Sequence, residues 1–195
     1  MAMMPVISRI RALRARRMVL VAAGVLLAAG CVQPEQGPAA GPDDTMTHAA
    51  ARIPTEPNVV SAVAFYKSMS PWLWNADQTK VSGIYVSALY LLGPKGLGVF
   101  GDGTIRPRMF VVEPDKSGRK HARQVKEWSF NVEEAIPFRA KEKRTLGWGY
   151  GIPLGFGDDL DVSGREIQMV ICFERNDGRL VTSSKQTFLV PQSKE

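Results

Sequence analysis

Histidine and cysteine are nearly missing from this chain, with two of each among 195 residues. A nucleophilic triad needs Ser or Cys, His and a carboxylate brought together. Past the first 48 residues the one histidine is His121, inside the polar run Gly118-Arg119-Lys120-His121-Ala122-Arg123, which reads as a solvated loop. The same scarcity argues against zinc and copper, whose sites are built from His/Cys clusters. The carboxylate pairs Glu133-Glu134 and Asp158-Asp159 are adjacent in sequence. Neighbours on a strand point to opposite faces, whereas glycosidase carboxylates face each other across a sugar. Asp158, Asp159 and Asp161 form a weak calcium candidate without a completed loop pattern. Gly93 to Gly103 is glycine-rich, yet it matches no phosphate-cradling loop. A long apolar run is missing too, for the stretch from Met18 to Gly30 is 13 residues, short of the roughly 20 a spanning helix needs. The expectation is a chain with no cofactor, no metal and no enzymatic activity.

What is present begins with an export signal over residues 1–30. Five arginines, Arg9 to Arg17, precede the apolar segment Met18–Leu27 and the small residues Ala28-Ala29-Gly30. The segment Leu27-Ala28-Ala29-Gly30-Cys31 resembles the lipobox of bacterial lipoproteins. That resemblance implies cleavage before Cys31, acylation of its sulfur and a membrane anchor of two or three chains, enough for stable attachment. Val32 at the following position implies sorting to the outer membrane rather than the inner. Removing residues 1–30 takes away five arginines and no acid, so the formal charge falls from +6 to +1. The basicity belongs to the signal, and no electrostatic case for nucleic acid remains. With Cys31 acylated, Cys172 has no disulfide partner, and its neighbours Met169-Val170-Ile171-Cys172-Phe173 read as a buried strand with an inert thiol.

Residues 31–57 hold Pro34, Pro38, Pro42, Pro54 and Pro57 among alanines and glycines without apolar periodicity, the composition of a flexible tether. From residue 58 to 192 short Val/Ile/Tyr/Phe runs alternate with Gly, Pro and Asp clusters. Seven strands are predicted: 59–66, 82–92, 104–112, 123–130, 146–157, 166–174 and 180–190. One helical turn is expected at Val132–Ile136 before Pro137, and a hairpin at Asn176-Asp177-Gly178. Pro107 cannot donate to a ladder, which suggests an edge strand or a bulge there. The fold class expected is all-β, an antiparallel two-sheet sandwich of immunoglobulin-like or transthyretin-like type.

The stretch Leu146-Gly-Trp-Gly-Tyr-Gly-Ile-Pro-Leu-Gly-Phe-Gly157 stands out. Its alternation places six apolar side chains, Leu146 through Phe156, on one face and bare backbone on the other. Each glycine costs roughly 0.5–1 kcal/mol against alanine, so close packing or a ligand has to offset them. Its length suggests a bend near Pro153. Among the aromatics, Trp72 and Trp74 lie on an expected connection, and with the loop at Asp102 they are the candidate contact residues.

Through Pro71-Trp72-Leu73, Gly83-Ile84, Gly101-Asp102-Gly103-Thr104, Gly149 to Leu154 and Asp177-Gly178-Arg179, residues 59–190 resemble uncharacterised bacterial lipoproteins that carry a single tethered β-sandwich. A weaker likeness, through Asn75-Ala76-Asp77 and Tyr85–Leu92, is to the small lipoprotein of the type VI secretion machinery. The resemblance lends no activity; the anchor, the tether and the lack of catalytic clusters lead to the expectation of a non-catalytic cell-envelope protein, its partner an envelope protein or, in the alternative reading, a polysaccharide or small ligand held by exposed aromatics. Labelling cells with palmitate is expected to tag the wild-type chain and leave Cys31→Ser unlabelled; equal labelling of both refutes the anchor.

Overall fold

The computed structural model describes residues 49–141 and 146–194. The signal, Cys31 and the tether up to residue 48 lie outside the described residues. Eleven strands form two antiparallel sheets, with β1 Ser61–Tyr66, β2 Trp72–Trp74, β3 Val81–Leu92, β4 Gly98–Val99, β5 Gly103–Pro114, β6 Lys120–Glu127, β7 Arg139–Lys141, β8 Trp148–Gly155, β9 Glu166–Arg175, β10 Leu180–Thr182 and β11 Gln186–Leu189. In the first sheet the order is β1-β3-β8-β7, with β2 and β4 also paired to β3; in the second it is β10-β9-β5-β6, with β11 also on β9. The predicted sandwich is present. The strands that composition did not reveal are two or three residues long, too short to show a period of two, and the stretch 180–190 is divided into β10 and β11.

The core lies between the sheets. Ile84, Val86, Leu89 and Leu91 of β3 and Tyr150, Ile152 and Leu154 of β8 face Ile105, Met109 and Val111 of β5 and Ile167, Met169, Ile171 and Phe173 of β9, all at 2 % exposure or less. The change from even to odd core positions along β3 has a local cause. Phe65 pairs with Ala88 and Tyr66 with Val86, while Ile152 pairs with Val86 and Tyr150 with Leu89. Both ladders therefore accommodate one extra residue at Ser87, a bulge that reverses which face each later side chain takes. The Ser87 hydroxyl donates to Phe65 O at 3.1 Å and fixes the bulge. The irregularity expected at Pro153 is thus in the neighbouring strand.

Both prolines expected to disturb strands sit where no donor is needed. Phe156 N–H donates to Ser82 O, so even positions of β8 point their N–H at β3 and Pro153 turns its nitrogen to the opposite edge. Pro107 lies within a strand flanked on both sides, so the edge reading is corrected. Ile105 and Phe130 exchange N–H bonds and Trp128 N–H donates to Pro107 O. The ring nitrogen of Pro107 therefore faces the segment just beyond the β5–β6 ladder, which begins at Arg108 paired with Glu127.

The α-helical turn α1, Val132–Ala135, starts as expected. Asn131 accepts from the N–H of Glu133 and Glu134, and Glu134 reaches back to Asn131 N–H, a reciprocal cap that satisfies otherwise free donors. A 3-10 turn, Ile136–Phe138, carries Pro137 and ends the helix.

Residues 49–57, read from composition as the end of the tether, are packed into the domain. Ala50 is wholly buried. Glu56 N–H donates to Phe100 O at 2.7 Å and Glu56 O accepts from Asp102 N–H at 3.0 Å. Arg139, 5 % exposed, donates from Nη1 to Ala51 O and Ile53 O at 3.4 and 3.1 Å, and its guanidinium lies 4.4 Å from the Phe100 ring centre. A composition of Ala and Pro hides this, because small residues leave no apolar signature. Replacement Arg139→Met is expected to speed hydrogen exchange of the Glu56 and Asp102 amides by about tenfold or more and leave the β9 amides unchanged; unaltered exchange at Glu56 refutes this anchoring.

Candidate functional site

The residues singled out by sequence do not converge. Trp72 and Trp74 are on β2, opposite Ile84 and Val81 at one end of β3, and so belong to a strand rather than a connection. Trp72 meets the Phe188 ring edge-on at 6.0 Å. Lys194 Nζ sits 5.3 Å over the Trp74 ring, and Lys194 N–H donates to Thr79 O, so the last residues of the described chain cover that indole. Both indoles are half-buried. Asp102 lies at the far end of the sheet, beside Gly101, whose backbone abuts Leu91; its amide is held by Glu56. The loop with Asp158, Asp159 and Asp161 is turned outward. There Asp161 accepts from Ser163 N–H at 3.1 Å and faces Lys80 at 3.9 Å, and the Ser163 bonds hold its carboxyl below the usual range. Among the described residues no three His, Cys, Asp or Glu side chains are placed to share a metal ion.

Cys172 is buried at 3 % exposure, on the outward face of β9 rather than in the core between the sheets. Its Cα partner is Arg106. The guanidinium groups of Arg106 and Arg108 lie in a network with Glu127 at 3.3 and 2.9 Å and, from Arg106, Glu174 at 2.7 Å. Burial pushes the thiol up, with the Arg108 charge acting in the other direction. Further along the same outward face Lys120 of β6 meets Glu166 of β9 at 2.6 Å, while Arg123 meets Glu113 at 3.4 Å on the face that Val111 shares.

The first sheet is the opposite. Its strands β1, β3 and β8 contain no charged residue. Outward from β1 point Val63 and the exposed Phe65, and from β3 Tyr85, Ser87 and, past the bulge, Tyr90. From β8 the outward positions are Gly149, Gly151, Pro153 and Gly155. The question of whether the glycine face is covered has two answers. At Gly149 a Cβ would lie 3.0 Å from the Tyr90 ring, and at Gly151 it would lie 2.7 Å from the Tyr85 hydroxyl. Two tyrosines thus lean from β3 across the space that the missing side chains leave. At Gly155 nothing comes within 4 Å, and Pro153 is exposed, so this end is open. The opposite alternation holds as expected for Tyr150, Ile152, Leu154 and Phe156, all buried, and fails at Leu146, 39 % exposed, which precedes the strand.

No charge in these strands is a signal the sequence carries, and strand-by-strand reading missed it because it belongs to three segments that become neighbours only in the folded sheet. A second surface, a cleft of about 340 Å³ between β1 and β10, is lined by Val59, Val60, Arg175 and Leu180 among others. Its Arg175 is already engaged, on Val59 O at 3.2 Å, Asn58 Oδ1 at 3.3 Å and Asp177 at 2.7 Å. Set against protein-family models, curated proteins and solved structures, the chain matches none.

Two tyrosines with buried hydroxyls weigh on the stability of the fold at alkaline pH. Burial raises Tyr150 to about 12 from an ordinary 10.0, Arg139 and the Gly101 amide opposing, and burial alone raises Tyr66 further. The folded chain holds these protons more tightly than the unfolded chain. Their stabilisation is therefore whole below pH 10 and is lost as pH rises, for Tyr150 through about 12, at up to about 1.4 kcal/mol per pH unit for each. The Tyr66 hydroxyl has no hydrogen-bond partner, so Tyr66→Phe is expected to leave stability at pH 7 unchanged or higher and to flatten the loss above pH 10. Denaturant melts across pH 7–11 measure both, and an unchanged alkaline slope in that variant contradicts the assignment.

Proposed function

We propose that this chain is a lipid-anchored protein of the bacterial cell envelope, held through Cys31 on the outer membrane, whose sandwich is a non-catalytic interaction module. The lipobox, the tether and the resemblance of residues 59–190 to tethered-sandwich lipoproteins support the location. The observation that carries the interaction role is the separation of charge between the two sheets. One outward surface carries a lattice of ion pairs on β5, β6 and β9; the other, on β1, β3 and β8, has no charge and leaves Phe65 and Tyr85 at 45 % and 37 % exposure. An antiparallel sheet facing only water ordinarily alternates polar residues onto that side. A continuous uncharged and partly aromatic patch is the mark of a contact surface.

A photo-crosslinking amino acid placed at Phe65 or Tyr85 in cells is expected to form adducts with envelope material, and the same group at Arg108 to form none. Equal yields from the two sheets, or none from the first, overturn the proposal.

A further inference from the structure

We infer that the occupant of the uncharged face is a neutral glycan, its sugar rings stacked on Phe65 and Tyr85, an inference that rests on this face being the contact surface. The chemistry of the face selects for it. A sugar ring has an apolar C–H surface ringed by hydroxyls, and it matches a flat aromatic ring with hydroxyls nearby. Tyr85 leans along the sheet toward Gly151, its phenol oxygen 2.7 Å from where a Cβ would be. Only a residue without a side chain at 151 permits that posture, and it leaves Tyr85 37 % exposed. Between Tyr85 and Phe65 stands Ser87, exposed, whose hydroxyl donates to Phe65 O and keeps its lone pairs for another donor. Beyond Tyr85 the shelf of Pro153 and Gly155 continues the surface without obstruction.

Charge and area argue against charged partners and a second copy. Nucleic acids and anionic lipid surfaces are drawn by Lys and Arg, and a basic partner by carboxylates; these three strands offer neither. For a second copy of this chain, three strands about 4.8 Å apart and about 30 Å long provide on the order of 400 Å² per copy, roughly half of what a stable pair buries. A narrow, neutral, ring-lined strip of that size suits a linear saccharide.

The test uses the full acylated chain in detergent, titrated by calorimetry with cellohexaose, maltohexaose and chitohexaose as neutral probes and hexagalacturonate as the anionic one. Saturable binding to at least one neutral probe is expected, without binding to the anionic one. Tyr85→Ala and Phe65→Ala are each expected to weaken it about tenfold. Gly151→Val, which displaces the Tyr85 ring, is expected to act likewise, and Arg108→Ala to leave it unchanged, with thermal melts verifying that each variant is folded. No saturation by any neutral probe overturns the inference, as does equal or tighter binding of the anionic one. So does a doubled particle mass in light scattering that Tyr85→Lys abolishes, which assigns the face to a second copy. If the neutral probes fail while cross-links from position 85 persist, the contact surface stands and its ligand is of another kind; if the cross-links fail as well, both readings fall.

Discussion

A sandwich of two open sheets leaves backbone carbonyls along its seams, and each one buried without a donor costs as much as a lost hydrogen bond. In this protein side chains from outside the first sheet supply the donors. Along one seam the Trp128 indole reaches Gly155 O at 2.9 Å and Lys126 Nζ reaches Phe156 O at 2.7 Å. Along the other, Gln186 donates to Ala64 O at 2.8 Å and Arg175 to Val59 O at 3.2 Å. Arg139 does the same for the leading segment, through Ala51 and Ile53. These bonds have direction, whereas the apolar core between the sheets does not. Hydrophobic burial holds the layers together, and the side-chain donors decide how they align.

With alignment set at the seams, the outward faces are free to differ. The ion pairs of the second sheet involve side chains that are mostly a third exposed, and pairs of that kind contribute little stability each. Their consequence is a solvated surface that resists adhesion. The chain concentrates its strand charges there, and in the first sheet β1, β3 and β8 are neutral while β7 carries Arg139 and Lys141.

Much of this was legible beforehand where a pattern is local. The Gly-alternating strand announced its buried face through period two, and Pro137 announced the end of the short turn α1. Legibility ended where the cause is tertiary. Pro107 reads as an edge residue until the segment at Trp128 shows that its nitrogen needs no acceptor. Cys172 reads as core because its neighbours are apolar, yet it is on the outward face opposite Arg106 and within reach of the Arg108 charge, both from β5, 66 and 64 positions earlier in the chain. Trp72 and Trp74 drew attention as large aromatics, and their cover comes from Phe188 and Lys194, near the other end of the domain. The neutral face was legible in principle, since its three strands are free of charge in the printed sequence, but only the sheet order makes them adjacent.

The bulge at Ser87 governs how this protein can change over evolutionary time. It acts as a phase shift in β3, so Tyr85 before it and Tyr90 after it, an odd number of residues apart, look the same way. Loss of Ser87 would remove the bulge and leave a plain alternation, with Leu89 and Leu91 still inside and Tyr90 still outside, whereas loss of a residue elsewhere in β3 would turn the positions beyond it to the opposite face. Loops of this domain are open to drift in length, while β3 can shorten only at its bulge.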